Sequence, residues 1–165
     1  PLSAIQALKA DTAVAGLALT MFAIGNASAV TVVGRFADTV GRKPFIQWGL
    51  FVLGVTTAAL AFTDSIWLFF VFSVIAGAGS GLANPAQQAT VADVIGRERK
   101  GGRVLARYQM ALDGGAILGP IIAGAVVDRF DYSWAFLLTG VLGVIAAGLW
   151  FFGRETRPRQ PASTQ

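Results

Sequence analysis

One short segment holds the residues best suited to chemistry, Gly34-Arg35-Phe36-Ala37-Asp38-Thr39-Val40-Gly41-Arg42-Lys43. Gly34 allows two helices to approach closely, and the Asp38 carboxylate can cap a following helix or accept a guanidinium. Gly41 suits a tight turn, and the basic pair Arg42 and Lys43 suits contact with lipid headgroups. The simpler interpretation is an ordinary basic loop. Such a loop does not need an aspartate and two glycines at fixed offsets, so the segment is a candidate functional site.

A second candidate is Asp113, an acid within a long apolar stretch. It lies about nine residues into that stretch, or roughly 13 Å from its end in a helix that rises 1.5 Å per residue. Burying an ionisable group among apolar residues is costly, and such groups usually have a function. We expect Asp113 either to pair with an arginine or a backbone donor on another helix, or to carry a proton or contact a solute. Arg107 and Asp93 lie nearer the ends of their stretches and suit interfacial anchors.

The sequence has no cysteine and no histidine. This composition excludes disulfides and removes the commonest ligands of zinc, haem and iron–sulfur centres. It also rules out a Ser-His catalytic pair, and Ser80 has no evident base. We therefore predict no metal, no cofactor and no enzymatic activity.

Long apolar stretches must position these candidates, because 55% of the residues are hydrophobic, 13% are charged and the mean hydropathy is +0.63. Four charge-free stretches, and a fifth interrupted only by Asp113, each hold the 20 or so residues that a bilayer core of roughly 30 Å requires. Membrane strands would alternate in character and need only about 10 residues. The sequence thus predicts an all-α membrane domain over residues 1–157, with spans near residues 12–33, 44–62, 66–91, 105–127 and 133–152.

The basic residues predict the orientation of these spans. They cluster after the first, third and fifth spans, whereas the other connections hold only Lys9 and Arg129. By the positive-inside rule, the cluster-bearing ends are cytoplasmic. We expect a protein of the cell membrane with a flexible cytoplasmic tail at residues 158–165.

The formal net charge of +4 raises the question of a nucleic-acid partner. The basic residues lie at span ends rather than in one patch, which favours the lipid bilayer over nucleic acid. The chain starts at Pro1 without an initiator Met, and we interpret it as a fragment whose upstream part is missing.

The segment from Gly34 to Lys43 resembles the signature loop of the major facilitator superfamily of transporters. The residues that match this signature are Gly34, Ala37, Asp38, Gly41, Arg42 and Lys43. Phe36 replaces the usual leucine and Thr39 a basic residue. The resemblance implies a loop that takes part in gating, in one half of a transporter built from six-helix bundles.

The fourth span is similar to the glycine-proline stretch of this superfamily. Its small residues Gly115, Gly119 and Ala123 recur at every fourth position, which permits close helix packing, and Pro120 can bend the helix. The antiporter form of this stretch has glycine at the positions of Ala106 and Ala123. The alanines at both positions weaken the assignment to antiporters.

In the third span, Gly77 and Gly81 suit a close helix contact, and Pro85 follows them. N-terminal halves of many family members carry an arginine at the position of Ser73. Together with the polar tail, this difference favours helices eight to twelve of a twelve-helix transporter, so the missing N-terminal half would be a partner.

The resemblance implies secondary active transport of a small solute by alternating access, with proton-coupled efflux of drugs or organic solutes as the favoured subtype. A membrane scaffold or interaction protein that transports nothing is the alternative. An intramembrane hydrolase is disfavoured by the absence of histidine and cysteine.

Overall fold

The computed structural model describes residues 12–97 and 101–152, and these residues form helices without any strand. The five helices are α1 (Thr12–Val40), α2 (Lys43–Leu60), α3 (Ile66–Arg97), α4 (Gly101–Arg129) and α5 (Tyr132–Phe151). The predicted all-α class with five helices is confirmed.

Four of the described helices contain stretches long and apolar enough to cross a membrane, namely Val14–Arg35, Ile66–Asp93, Gly102–Arg129 and Tyr132–Phe151. The remaining helix, α2, has 18 residues and begins with Lys43. It packs between α3 and α5, both of which are candidate spans. The chain is therefore an integral membrane protein.

Local sequence explains where several helices begin. Pro44 lies in the first turn of α2, where a proline's missing N–H costs no helical hydrogen bond. Asp131 caps α5, since its carboxylate accepts a hydrogen bond of 3.2 Å from the Trp134 backbone N–H. The helices extend beyond the predicted spans, α1 to Val40 and α3 to Arg97, because charged residues end the apolar stretch without ending the helix.

Small residues set the arrangement of four of these helices. Helix α3 packs closely against both α1 and α2, and α2 packs on its other side against α5. The contact between α1 and α3 places Gly77 against the Phe22 backbone and Gly25 against the Val74 backbone. A Cβ at Gly54 of α2 would lie 2.8 Å from the Gly140 carbonyl oxygen of α5. Such close backbone approach is typical of helix packing in membranes.

Seven hydroxyl groups are satisfied within their own helices. The side chains of Thr20, Ser28, Thr31, Thr56, Ser73, Thr90 and Thr139 each donate to the carbonyl oxygen four residues earlier. In a hydrocarbon environment without water, this pairing removes the cost of an unsatisfied polar group.

Helix α4 differs from the other four because no residue of its most apolar stretch is buried. It touches α3 and α5 over small areas only. Large apolar side chains along it are exposed, among them Ile117 at 64% and Ile121 at 62%. The described part of the chain therefore leaves most of α4 uncovered.

Candidate functional site

The connection between α1 and α2 is shorter than the sequence suggested. Residues 34–40, expected in a loop, continue α1 as helix, so that Gly41 and Arg42 alone join α1 to α2. Gly41 is buried and has a φ of 102°, a conformation that residues with a Cβ rarely adopt. This turn sets the direction of the backbone at Arg42, from which the Arg42 side chain extends.

Arg42 joins the start of α2 to the end of α3. Its Nη1 forms an ion pair with the Asp93 carboxylate and donates to the Ala89 carbonyl oxygen. The two charged side chains are each 19% exposed. A charge-assisted contact with limited water access is stronger than one at an open surface.

Lys43 makes the corresponding contact with α5. Its Nζ donates to the Phe151 carbonyl oxygen at 2.9 Å and lies 5.9 Å from the centroid of the Phe151 ring. A cation at a helix C-terminus satisfies an otherwise unpaired carbonyl and complements the helix dipole. The basic pair predicted to contact headgroups thus also braces α2 against two neighbouring helices.

Gly34 and Asp38 are two further residues of the signature segment. Gly34 lies on α1, where an added Cβ would meet nothing within 4 Å among the described residues. Asp38 lies in the last turns of α1, and its side chain is outside the part that the structure describes. Its expected capping or arginine contact stays a prediction.

The glycines of α3 lie in tight contacts. Gly77 faces the Phe22 backbone and Gly81 faces the Asn26 carbonyl oxygen, both on α1. Pro85 lies inside α3, which continues past it. The two glycines hold α1 and α3 close together near the middle of both helices.

The glycines of α4 lie in open space. A Cβ at Gly115 or Gly119 would meet nothing within 4 Å among the described residues, and Pro120 lies inside the helix. Asp113 is exposed and has no hydrogen-bond or ion-pair partner in residues 12–97 and 101–152. The close packing expected at this small-residue stripe does not occur within the described helices.

A cleft with a mixed apolar and polar lining lies between α3 and α4, and it was not predicted. It encloses about 420 Å³, and its polar lining comes from Gln88, Tyr108 and Gln109. Asp113 follows Gln109 by four residues and so lies on the same side of α4, about 6 Å further along the helix. The glutamines Gln88 and Gln109, in otherwise apolar stretches, were the available sequence signal, but the sequence analysis did not connect them with a cleft.

The Arg42–Asp93 pair was also missed, although each residue was noticed separately. Asp93 was interpreted as an interfacial anchor. The two residues are 51 positions apart in the chain. The available signal was the predicted topology. It placed Arg42, before α2, and Asp93, near the end of α3, on the same side of the membrane.

Known proteins resemble this chain over most of its length. It is 30% identical over 89% of its residues to an uncharacterised MFS-type transporter of Methanocaldococcus jannaschii, covering 38% of that protein. It is 30% identical over 81% of its residues to the multi-drug resistance efflux pump PmrA of Streptococcus pneumoniae, covering 33%. For the multidrug export protein EmrB of Escherichia coli the identity is 26% over 84% of the chain and 28% of EmrB.

The chain thus spans about a third of the length of the curated relatives it matches. The sequence model described as Major Facilitator Superfamily matches residues 1–165. With that match over its whole length, the chain belongs to the major facilitator superfamily.

Proposed function

We propose that this chain is part of a secondary active transporter that exports drugs or other small organic solutes across the cell membrane by alternating access. The family and the names of two relatives, PmrA and EmrB, favour this function and this class of solute. Because the chain covers about a third of those relatives, the remaining helices of a longer protein would complete the pathway.

The observation that carries the proposal is the Arg42–Asp93 ion pair. It joins two helices at one end only, while the Gly49 and Gly79 contact holds the same two helices together in their middle. A charge-assisted contact between two such elements can form in one conformation and break in another. In a transporter this is the property expected of a latch on one side of the membrane.

The latch lies on the cytoplasmic side in the proposed orientation. The basic residues that follow α1 and α3 favour a cytoplasmic position for both ends by the positive-inside rule, and we propose the same side for the C-terminus. An intact pair would then favour the conformation closed to the cytoplasm. Breaking it would open the cytoplasmic entrance for a solute.

The cleft between α3 and α4 is the proposed solute-contacting surface. Carboxamides from Gln88 and Gln109 can donate and accept hydrogen bonds, and Leu105 and Leu112 supply apolar contact. This mixture suits an organic solute with a few polar groups. Asp113, one turn further along α4, is the proposed coupling group for a proton.

A charge-reversal series in the full-length transporter tests the latch. We expect Arg42→Glu and Asp93→Arg each to lower the initial transport rate in proteoliposomes roughly tenfold, equivalent to about 1.4 kcal/mol. The double variant should recover part of that loss, because it restores attraction between the two helices. Arg103→Glu, at an exposed position near the start of α4, is the matched control for a lost positive charge.

The same series discriminates the alternative of a non-transporting scaffold. A scaffold would show no solute movement by the unmodified protein in any solute panel. A transporter without a latch would move solute at the same rate in the unmodified protein, both single variants and the double variant. Either outcome contradicts the proposal, provided that membrane insertion is equal by fluorescence-detected size-exclusion chromatography.

A further inference from the structure

A groove of about 580 Å³ lies between α2 and α5, at the end where α2 begins and α5 stops. Its walls are aromatic and its floor is formed by small residues. The lining residues that matter here are Trp48, Phe51, Phe151, Phe152, Ala147 and Gly148. Within each wall the rings pack edge to face, Trp48 on Phe51 in α2 and Phe151 on Phe152 at the end of α5, with centroid distances of 5.9 and 6.1 Å.

We propose that this groove binds one acyl chain of an anionic phospholipid, whose phosphate contacts Lys43. The groove lies between two membrane helices. The Lys43 ammonium group is at one end of it, 5.9 Å from the centroid of the Phe151 ring that lines the groove. This site is separate from the solute cleft between α3 and α4. It does not depend on which solute is transported.

The lining of the groove favours a lipid over another helix. Where helices of this chain meet, the contact consists of small residues such as Gly49, Gly79 and Gly140. The walls of the groove instead hold large side chains that protrude, with Trp48 64% and Phe152 86% exposed. Aromatic residues of this kind are enriched at the boundary between lipid headgroups and acyl chains. A flexible acyl chain fits between them, whereas a helix backbone cannot approach closely.

Lys43 gives the site its charge preference. The Nζ has three N–H donors, and the Phe151 carbonyl oxygen accepts one of them at 2.9 Å. This hydrogen bond holds the ammonium at the rim while leaving donors for a phosphate oxygen. Gln47 also lines the groove, and its amide can bind the ester region of a lipid.

Gly148 makes the groove deep enough for a chain. A Cβ at this position would meet nothing within 4 Å among the described residues, so a larger side chain can enter the groove without displacing the backbone. Gly148→Leu therefore fills the groove while leaving the packing of α2 on α5 intact. Gly16, which also has open space around it and lies on α1, provides the matched control Gly16→Leu.

Native mass spectrometry of the full-length protein tests the site. The purified protein is delipidated and titrated with dioleoyl phosphatidylglycerol or with dioleoyl phosphatidylcholine. We expect the first bound lipid to be phosphatidylglycerol, with a preference of about fivefold from a single lysine near the surface. Gly148→Leu should weaken this first binding step roughly tenfold, and Gly16→Leu should leave it unchanged.

The variant Lys43→Gln then separates the contribution of the charge to lipid binding from the contribution of the groove. We expect this variant to bind both lipids equally, because the acyl chain still enters the groove while the charge preference is lost. Equal phosphatidylglycerol binding by Gly148→Leu and the unmodified protein would overturn the proposal. A lower melting temperature of Gly148→Leu with unchanged lipid binding would also overturn it, since it would show that a helix of the remaining protein fills the groove.

Discussion

Gly49 of α2 and Gly79 of α3 face each other so closely that a Cβ on Gly49 would lie 2.6 Å from the Gly79 carbonyl oxygen, and a Cβ on Gly79 would lie 2.7 Å from the Gly49 carbonyl oxygen. The contact is therefore reciprocal, and neither position has room for a side chain. It holds the two helices close together near their middle, whereas the Arg42–Asp93 pair joins them nearer one end.

Gly79→Ala is expected to destabilise the protein, although alanine favours helix formation. The added methyl group would contact backbone atoms that cannot move aside, and overpacking of this kind costs about 1–3 kcal/mol. The melting temperature of the purified protein in detergent measures the effect. Gly16→Ala, where the methyl group meets nothing within 4 Å, should be neutral or slightly stabilising. Equal melting temperatures for the two variants would contradict the close contact.

Asp38→Asn is expected to reduce transport by the full-length protein while leaving membrane insertion nearly unchanged. The substitution removes a charge but little volume, and Asp38 lies in the chain beside the basic residues Arg35 and Arg42. A contact between opposite charges that changes with conformation would be lost. Initial rates of solute efflux from vesicles, normalised to inserted protein, measure the effect. Unchanged rates would contradict a gating role for Asp38.

The orientation is tested by accessibility from the two sides of the membrane. A reporter fused after Arg159 should be cytoplasmic, because basic residues follow the first, third and fifth spans. A tag inserted in the turn at residues 63–65 should react with an impermeant reagent added outside intact cells. The reverse labelling pattern would show that the topology is inverted and that the proposed latch lies on the outer side.

Charge-free stretches were enough to predict the helices, because a span is defined by composition over about 20 residues. They were not enough to predict where each helix stops. Asp38 lies beyond the predicted end of its span at residue 33, yet α1 continues to Val40. A charged residue leaves the apolar core but keeps its backbone hydrogen bonds, so helix length exceeds span length.

The partners of individual residues were harder to predict than the helices. Gly77 and Gly81 were singled out for a close contact, but the opposing residues on α1 were not, since small residues occur in every span. The pairing of Arg42 with Asp93 depends on how α2 and α3 pack, which one sequence does not encode locally. The assignment to helices eight to twelve of a longer transporter stays a prediction.

Asp113 provides the test of proton coupling. Its carboxylate contacts no partner within the described residues, so it does not hold α4 to the other four helices. The nearest basic residue in its own helix, Arg107, is six positions away and lies on a largely different face. Replacing this carboxylate by a neutral group would therefore break no contact among the described residues.

We therefore expect Asp113→Asn in the full-length transporter to abolish solute accumulation driven by a proton gradient while preserving solute exchange. The asparagine amide resembles the protonated acid in size and polarity, so it permits the conformational change but cannot release a proton. Two assays in the same proteoliposomes measure this: accumulation after an imposed pH step, and exchange of labelled for unlabelled solute at equal pH. Asp128→Asn, the same substitution at an exposed acid near the other end of α4, should leave both unchanged. If both activities fall together and the melting temperature drops, Asp113 instead pairs with a cation on the remaining helices, and its role is structural.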